Sequence, residues 1–384
     1  MGWCLFLNVA YFDNSATTAL CENAKNAIKE ACEIYGNPSS LHKLGISSAT
    51  MLENARKTVA SSIGADPQEI YFTSGGTESD NIAVLGAAKA LCRRGKKIIT
   101  TAIEHSAVMN TMKQLENEGF TVVYLKPDES GSVPIRAFLD AIDEQTILVS
   151  CMSVNNETGA FLPIESIKKA IKTKNSPAYF HIDLTQSYLK YKINLKKTDA
   201  DLITISAHKI HGPKGVGALY VKKGVRVLAH TFGGEQEKGL RPGTEPLILI
   251  NGFAAAVEDF GNPLENAEKC AKIKNYIIEK LKDYEDIVIN SPKNSSDYIL
   301  SIAVLGIRSE TMLHFLEQRD VFVSSGSACA KGKPSHVLTA LGFDKRRADS
   351  TIRISFCKNN DISQADKLIK GILDAKNSLI KSRG

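Results

Sequence analysis

Residues 70–81 read IYFTSGGTESDN, an apolar run followed by a glycine-rich turn and the start of a helical pattern. The run predicts a strand, and the turn places Gly76 and Thr77 at the N-terminus of a helix. The later runs KIIT, VVYL, ILVS, AYFHI and DLITI also alternate with helical patterns. This alternation is typical of a mostly parallel sheet wrapped by helices, so a large α/β domain is predicted over 14–262.

The rest of the chain predicts a smaller α/β domain over 263–384. After GNP at 261–263, the amphipathic pattern ENAEKCAKIKNYIIEKLKDY indicates a long helix. The strand-like run ILSIAVL, a helix near 310–317, the strand-like runs VFVS and TIRIS and a closing helix follow. Sheet and helices therefore recur in this second part, with fewer strands.

Composition and charge exclude several classes of partner. The 384 residues carry 48 basic and 42 acidic side chains, a formal net charge of +6, with no long block of one sign. This balance argues against a nucleic-acid partner. No apolar stretch approaches the ~20 residues of a membrane span, and the opening MGWCLFLNVA lacks the features of a signal peptide. We therefore expect a cytoplasmic protein without a membrane partner, and small anionic ligands stay open.

The eight cysteines predict neither a disulfide framework nor a metal site, because they are scattered and include no CxxC pair. Most are expected to be buried as small hydrophobic residues. Cys329 differs, since it lies in SSGSACAKGKPS, a run of small, polar and cationic residues in which no core forms. An exposed thiol near lysines needs a functional explanation.

Ligands of open parallel sheets bind at the carboxyl ends of the strands, so the residues that follow each apolar run are the candidates for a site. Gly76 and Thr77 follow the first run, where backbone N–H groups can bind a phosphate; the alternative is an ordinary capped helix start. Ser206, His208 and Lys209 follow DLITI. A lysine amine at the mouth of a pocket can form a Schiff base, and the alternative is a surface turn.

Two more strand ends carry titratable side chains. Asp183 ends the run AYFHI, with Gln186 three residues later. Its carboxylate could pair with a protonated pyridine nitrogen; a helix cap or a salt bridge to lysine are the alternatives. His105 follows KIIT, where an imidazole could stack on a ring or move protons, or simply be packed.

Amide and guanidinium groups complete the candidates. Asn155 and Asn156 follow ILVS, where an amide can hold an oxygen of a ligand or form an ordinary turn. Alternation in STIRISF places Arg353 on the face opposite Ile352 and Ile354. Arg353 could bind a substrate carboxylate, and the alternatives are a solvated strand arginine or an ion-pair partner.

Taken together, these segments resemble the NifS/IscS-like cysteine desulfurases, pyridoxal-phosphate enzymes of the class V aminotransferase group. The resemblance covers nearly the whole chain. It rests on the joint order of YFDNSATT, GNPSSLH, IYFTSGGTESDN, EHSAV, VNNETG, HIDLTQS, SAHKIHGPKGVGALY, GGEQEKGLRPGT, SSGSAC and STIRIS. It implies fold type I, the fold of the large aspartate-aminotransferase-like enzymes, in which residues 1–13 join the small domain. It also implies a homodimer.

The resemblance implies a role for each candidate. Lys209 would form the Schiff base with pyridoxal 5'-phosphate, Asp183 would pair with the ring nitrogen, and Gln186 would contact the ring hydroxyl oxygen. His105 would stack on the ring and move protons. The phosphate would be held by Gly76, Thr77, Ser206, His208 and, from the second subunit of the dimer, Thr244. The substrate would be positioned by Asn156 and Arg353.

The activity implied is conversion of L-cysteine to L-alanine, with the sulfur transferred to Cys329 as a persulfide. An acceptor protein, for iron–sulfur cluster assembly or for thiolation of transfer RNA or a cofactor, would then receive the sulfur. Another class V enzyme, a selenocysteine lyase or an aminotransferase, is the nearest alternative, and a non-catalytic sulfur-transfer scaffold is a more distant one. The chain departs from many relatives at Phe356 and Cys357, where Leu and Gly are common.

Overall fold

The computed structural model describes residues 9–128, 131–325 and 335–380. Within these ranges no helix combines the length and the apolar composition needed to cross a membrane. The described residues form strands and helices in alternation through most of the chain. The fold is therefore of the α/β class, as predicted.

The strands are short, as is usual where sheets lie under helices. In chain order they are β1 (Ala10–Tyr11), β2 (Ile70–Thr73), β3 (Lys97–Thr101), β4 (Thr121–Leu125), β5 (Thr146–Met152), β6 (Tyr179–Asp183), β7 (Leu202–Ser206), β8 (Gly217–Val221), β9 (Ile287–Ile289), β10 (Ile299–Val304), β11 (Val321–Phe322), β12 (Ser324–Ser325) and β13 (Thr351–Ser355).

The helices range from a single turn to 21 residues. They are α1 (Glu22–Cys32), α2 (Lys43–Ile63), α3 (Gly76–Leu91), α4 (Ser106–Asn117), α5 (Ile135–Ala141), α6 (Ile164–Thr173), α7 (Leu195–Thr198), α8 (Leu247–Asp259), α9 (Pro263–Leu281), α10 (Ser309–Glu317), α11 (His336–Ala340), α12 (Lys345–Asp349) and α13 (Ile362–Ala375). Short 3-10 turns cover Pro67–Glu69, Ala207–Lys209 and Gln236–Gly239, and a π-helical turn covers Lys376–Ile380.

The large sheet has seven strands in the order β2-β8-β7-β6-β5-β3-β4. Strands β4, β3, β5, β6 and β7 pair in parallel, and β8 runs antiparallel to both β7 and β2. The mixed, mostly parallel sheet of a fold type I enzyme is thereby confirmed. Because β2 runs in the same sense as β3 to β7, its carboxyl end lies at the same edge of the sheet as theirs.

Both faces of the large sheet are covered. Side chains alternate across a strand, so neighbouring residues enter different cores. Ile98 of β3 belongs to the apolar cluster on one face, and Ile99 belongs to the cluster on the other. Every residue of β5 is buried. Polar groups can therefore leave this sheet only at its ends.

The small sheet is antiparallel, in the order β12-β13-β10-β9, with α9 and α13 packed together in the same part of the chain. The run VFVS, predicted as one strand, divides at Val323. Residues before it pair in parallel with β1, and residues after it pair with β13, because the chain passes from one sheet to the other at this point. The domain boundaries stay predictions.

The N-terminal segment joins the small sheet. Phe12 donates its N–H to the Phe322 carbonyl at 2.8 Å, and its own carbonyl accepts from the Ser355 N–H at 2.7 Å. The Phe12 ring is fully buried and lies edge-on to Phe356, with 5.7 Å between ring centroids. Phe356, one of the departures from many relatives, thus contributes to the core of this sheet.

The expectation that most cysteines are buried is wrong for the described part of the chain. Several lie at helix ends, where solvent reaches the thiol. Cys32 is the last residue of α1, and Cys92 follows α3. The buried thiols are Cys151 and Cys270, Cys21 and Cys357 are partly buried, and Cys32 and Cys92 are exposed.

Phe12→Ala is expected to lower the free energy of unfolding by about 3–5 kcal/mol, because it removes a fully buried ring and leaves a cavity beside Phe356. Urea unfolding followed by circular dichroism measures this. Leu264→Ala is the control, since Leu264 is 73% exposed and its loss should stay within about 0.5 kcal/mol. Equal losses in the two variants would contradict the role of Phe12.

Candidate active site

One cavity lies at the edge of the large sheet where the parallel strands end. Its volume is about 370 Å³, within the range of small-molecule sites. Among described residues, every predicted site residue except Thr244 lines it: Gly76, Thr77, His105, Asn156, Asp183, Gln186, Ser206, His208, Lys209 and Arg353. The structure thus brings together residues that the sequence separates by more than 250 positions.

The start of α3 forms one wall. Its N-cap is Gly75, whose φ of 146° is a conformation that favours glycine, and no side chain caps the helix. A Cβ on Gly76 would lie 3.1 Å from Thr185 Oγ1. Free backbone N–H groups and missing side chains leave space for an anion against the first turn. The alternative of a helix capped by a side chain of the turn is not realised.

Lys209 closes the opposite side from the 3-10 turn that follows β7. Its Nζ donates to the carbonyls of Ser15 at 2.5 Å and Ala16 at 2.7 Å. Burial lowers the pKa of Lys209 to about 7, with further lowering by Arg353 and Lys190. An appreciable share of this amine is therefore neutral, and nucleophilic, near neutral pH.

Asp183 ends β6 and is 5% exposed. Its Oδ1 accepts the Thr185 N–H at 2.8 Å, so the carboxylate belongs to a turn and no lysine ion pair engages it among the described residues. Gln186 donates its amide to the Ser15 carbonyl at 3.0 Å, which leaves its Oε1 without a partner there. Both side chains thus retain acceptor oxygens toward the cavity.

His105 is the N-cap of α4. Its Nδ1 accepts the Ala107 N–H at 3.2 Å, so a neutral ring carries its proton on Nε2. Burial lowers the pKa of His105, although Asp183 acts in the opposite direction. The imidazole is therefore a neutral donor at this site.

The two neighbouring asparagines, Asn155 and Asn156, have different roles in the structure. Asn155 forms the turn, with its amide donating to the Ile103 carbonyl and its Oδ1 accepting from the N–H groups of Glu157 and Thr158. Asn156 instead lines the cavity, and its Oδ1 has no partner in the described chain. Only the second amide is free for a ligand.

Arg353 is buried, so the alternative of a solvated strand arginine is wrong. Its Nη2 pairs with Asp13 Oδ1 at 2.8 Å, and its Nη1 donates to the Asn156 carbonyl at 3.1 Å. Arg353 belongs to β13, which lies between β10 and β12 in the small sheet and so has no open edge. Its Nε remains without a partner among described residues.

Buried polar atoms without partners within the described ranges concentrate in this cavity. They include Ser206 Oγ, Thr185 Oγ1, Gln186 Oε1, Asn156 Oδ1, Asp80 Oδ1, Ser15 Oγ and Arg353 Nε. Unpaired buried groups are costly, so they indicate a missing polar ligand. Hydroxyls near a helix N-terminus, a buried carboxylate and an amine fit the phosphate, ring nitrogen and aldehyde of pyridoxal phosphate.

Sequence reasoning missed several contributors, among them Asp80, Asp13 and Ser15. Asp80 follows Gly76 by four residues, and helical spacing could have placed both on one face. Burial and Asp183 raise the pKa of Asp80 well above its ordinary value. Asp13 and Ser15 reach the site from the N-terminal segment, and no local pattern signals that contact.

Two predicted residues stand apart. Thr244 is exposed and does not line the cavity of its own chain. Cys329 lies outside the described residues. Just after that undescribed stretch, Ser335 donates to Glu157 Oε2 at 2.6 Å, and His336 Nε2 lies 2.8 Å from the Glu104 carbonyl. Within the described ranges, no cluster of side chains is arranged to hold a metal ion.

Comparisons with known proteins show which family this chain resembles in sequence and fold. The family model for aminotransferase class-V matches residues 10–368. The chain is 41% identical over 366 residues to the NifS/IcsS protein homolog of Lactobacillus delbrueckii subsp. bulgaricus, covering 94% of this chain and 95% of that protein. It is 38% identical over 381 residues to the cysteine desulfurase IscS of Clostridium botulinum, covering 97% and 94%. A solved NifS-like protein superposes with a TM-score of 0.91 at 37% identity, covering 96% of this chain and 100% of that one.

A second buried lysine lies behind Lys209. Lys190 is 4% exposed, and its Nζ lies 5.3 Å from the centroid of the Tyr298 ring. Both lysines line the same narrow gap beneath the cavity. Burial lowers the pKa of Lys190 to about 8, which still leaves most of it charged at pH 7. Its charge disfavours protonation of Lys209.

Lys190→Met is expected to shift the pH dependence of Lys209 toward higher pH, because losing a nearby positive charge raises the pKa of the remaining amine. The rate at which the apoprotein takes up pyridoxal phosphate, measured by absorbance from pH 6 to 9, reports this shift. The control is Lys274→Met, since Lys274 is equally buried but bonds to Ser295 and Ser296 instead. Identical profiles for wild type and Lys190→Met would contradict the coupling.

Proposed function

The chain belongs to the aminotransferase class-V family and is one of its NifS/IscS-like cysteine desulfurases, and from this membership we propose that it holds pyridoxal phosphate in the cavity at the edge of the large sheet. The observation that carries the proposal is the convergence of Lys209 and Asp183 on one buried space lined with unpaired polar atoms. Relatives of this family are pyridoxal-phosphate enzymes, and the residues required for such chemistry are present.

Each wall of the cavity would take one part of the cofactor. The phosphate would lie at the start of α3, against Gly76, Thr77, Ser206 and His208. Burial, together with Lys209, lowers the pKa of His208 to about 4, so its ring acts there as a neutral group. Gln186 would meet the ring hydroxyl, and His105 would pack on the ring face.

When bound, pyridoxal phosphate would supply an electron sink that makes the substrate α-carbon acidic. Asp183 would hold a proton at the ring nitrogen. The Lys209 amine, whose pKa is near 7, can accept a proton and return it at neutral pH. His105 carries a further proton on Nε2.

L-Cysteine would be held by its carboxylate. Arg353 offers an unpaired Nε–H donor to this carboxylate, and Asn156, whose unpaired Oδ1 can only accept a hydrogen bond, would face a donor group of the substrate. Because the Arg353 guanidinium is held by Asp13 and the Asn156 carbonyl, its orientation is set before substrate arrives. Preorganisation of this kind lowers the cost of binding.

The sulfur would pass to Cys329. Its thiolate attacks the substrate sulfur, an S–S bond forms and the C–S bond breaks, and the carbon fragment takes up protons to become L-alanine. The sum is L-cysteine plus a thiol giving L-alanine plus a persulfide, without an external oxidant. An acceptor protein would then remove the outer sulfur.

Cys329→Ala is expected to abolish alanine and persulfide formation from L-cysteine while the yellow colour of bound cofactor persists. Amino-acid analysis and persulfide alkylation measure the products. The control is Cys92→Ala, which removes the exposed thiol of the residue that follows α3. This variant should retain full activity.

Undiminished alanine formation by Cys329→Ala would contradict the role of this thiol. Turnover of L-cysteine to a keto acid without loss of sulfur would favour an aminotransferase, and turnover restricted to selenocysteine would favour a selenocysteine lyase. A colourless wild-type protein that fails to take up pyridoxal phosphate would favour a non-catalytic scaffold.

A homodimer is part of the proposal. Phe232 is 87% exposed and Leu41 is 95% exposed, which is unusual for large apolar side chains. Phe232 and Thr244 both lie in the stretch between β8 and α8, and neither lines the cavity of its own chain. A second copy would cover these side chains and receive Thr244 at its phosphate site.

Phe232→Glu combined with Leu41→Glu is expected to convert the dimer to monomer at micromolar concentration, because charges would be buried in an apolar contact. Light scattering after size-exclusion chromatography measures the mass. Leu264→Glu alters another exposed leucine and should leave the dimer intact. A monomeric wild-type protein would contradict this part of the proposal.

A further inference from the structure

The free edge of β2 is closed by an ion pair. β2 is the terminal strand of the large sheet and pairs only with β8, so its other side would expose unpaired backbone groups. Instead, the Phe72 N–H donates to Glu237 Oε2 at 2.8 Å, and the Ile70 carbonyl accepts from Arg56 Nη1 at 2.9 Å. Two side chains thus occupy the place of a further strand.

The two side chains also bind each other with two parallel hydrogen bonds. Arg56 Nη1 and Nη2 each lie 2.8 Å from a Glu237 carboxylate oxygen. The side chains are 9% and 1% exposed, and the guanidinium lies 4.9 Å from the centroid of the Phe72 ring. Arg56 also pairs through Nε with Glu53 Oε1 at 3.0 Å, whereas Glu237 has Arg56 as its ion-pair partner among the described residues. Loss of Arg56 is therefore costly, since it would leave the buried Glu237 carboxylate unpaired.

The backbone around Glu237 is held in an unfavourable conformation. Glu237 has φ of 47° and Lys238 has φ of 55°, both in the left-handed region that favours glycine. Lys238 also lies against β2, with its Nζ 4.9 Å from the centroid of the Tyr71 ring. Such conformations persist where the surroundings hold them, and they are common at functional sites.

The pair joins two segments that lead to the phosphate site. β2 continues directly into Gly75 and Gly76 at the start of α3. The segment after Glu237 continues to Arg241, whose Nε lies 3.3 Å from Glu78 Oε1 in the first turn of α3, and then to Thr244. Neither Arg56 nor Glu237 lines the cavity, so any effect on the cofactor must act through these segments.

We propose that Arg56 and Glu237 are positioning residues for the cofactor phosphate, which fix the start of α3 and the turn carrying Thr244 through their shared hold on the edge of β2. The inference rests on the proposed function. Cofactor affinity, and specifically the part contributed by the phosphate, depends on this pair. The ring and the aldehyde are held by other elements, at Asp183 and Lys209, and do not depend on it.

The test compares two probes on apoprotein prepared from the purified holoenzyme. Glu237→Gln keeps the shape of the side chain but removes its charge, and it is expected to raise the Kd for pyridoxal phosphate by about tenfold. The Kd for pyridoxal, which lacks the phosphate, should change by less than about twofold. Both are measured by fluorescence titration, and the ratio of the two constants is the readout.

A matched control separates positioning from general stability. Asp201 also binds a strand N–H, that of Phe180 at 2.7 Å, and pairs with Lys168 in a similarly buried environment. Asp201→Asn should lower the unfolding midpoint and leave the ratio of the two constants unchanged. If Glu237→Gln accumulates unfolded, Arg56→Lys serves in its place, because it keeps a cation but loses the two parallel bonds.

An unchanged ratio in both Glu237→Gln and Arg56→Lys, with wild type binding pyridoxal phosphate tightly, would overturn this inference and leave the proposed function intact. A wild-type apoprotein that binds neither probe would overturn the proposed function itself. A ratio that changes equally in Asp201→Asn would show that stability, not position, sets the affinity, and would also overturn the inference.

Discussion

Burial of both faces of the large sheet is the constraint from which the site follows. Since β5 is buried over its whole length, polar side chains that are to meet a ligand are favoured where a strand ends. Five strands run in the same direction next to one another, so their carboxyl ends share one edge. Asp183, Ser206 and the turn after β2 meet there because their strands end at this shared edge.

The cavity formed at this edge is rich in cations. Besides burial, the nearby charges of Arg353 and Lys190 lower the pKa of Lys209. The charges of Asp13 and Asp183 act in the opposite direction. A phosphate and a carboxylate are the complement of such a site, since each anion would relieve the repulsion among the cations. Burial is the main reason that part of Lys209 is neutral, and the neighbouring cations add to it, so the same cations favour both anion binding and a nucleophilic amine.

Local pattern was enough to predict the strand ends and their polar side chains, because periodicity and turn residues are local properties. The local pattern could not decide which of the alternative roles each candidate residue has. Asn155 and Asn156 look alike in the sequence, and only the packed turn shows that one is structural and the other faces the cavity. Asp13 could not be found at all, since it meets Arg353 across 340 positions of chain. For Arg353 the alternation of the strand allows a substrate ligand, a solvated side chain or an ion-pair partner, and only the packed structure shows that it is buried and paired with Asp13.

Several acids near the cavity would cancel its positive charge if they were ionised. Burial raises the pKa of Glu104 to about 8 and that of Glu157 to about 7, so Glu104 is mostly protonated at neutral pH and Glu157 only partly charged. Asp80 is shifted in the same direction by burial and by Asp183. An acid whose pKa is raised stays neutral until the pH exceeds that value, so these acids offset less of the positive charge at neutral pH than ordinary carboxylates would. These acids therefore supply hydrogen-bond acceptors to the site, and the positive potential that attracts an anion is largely retained.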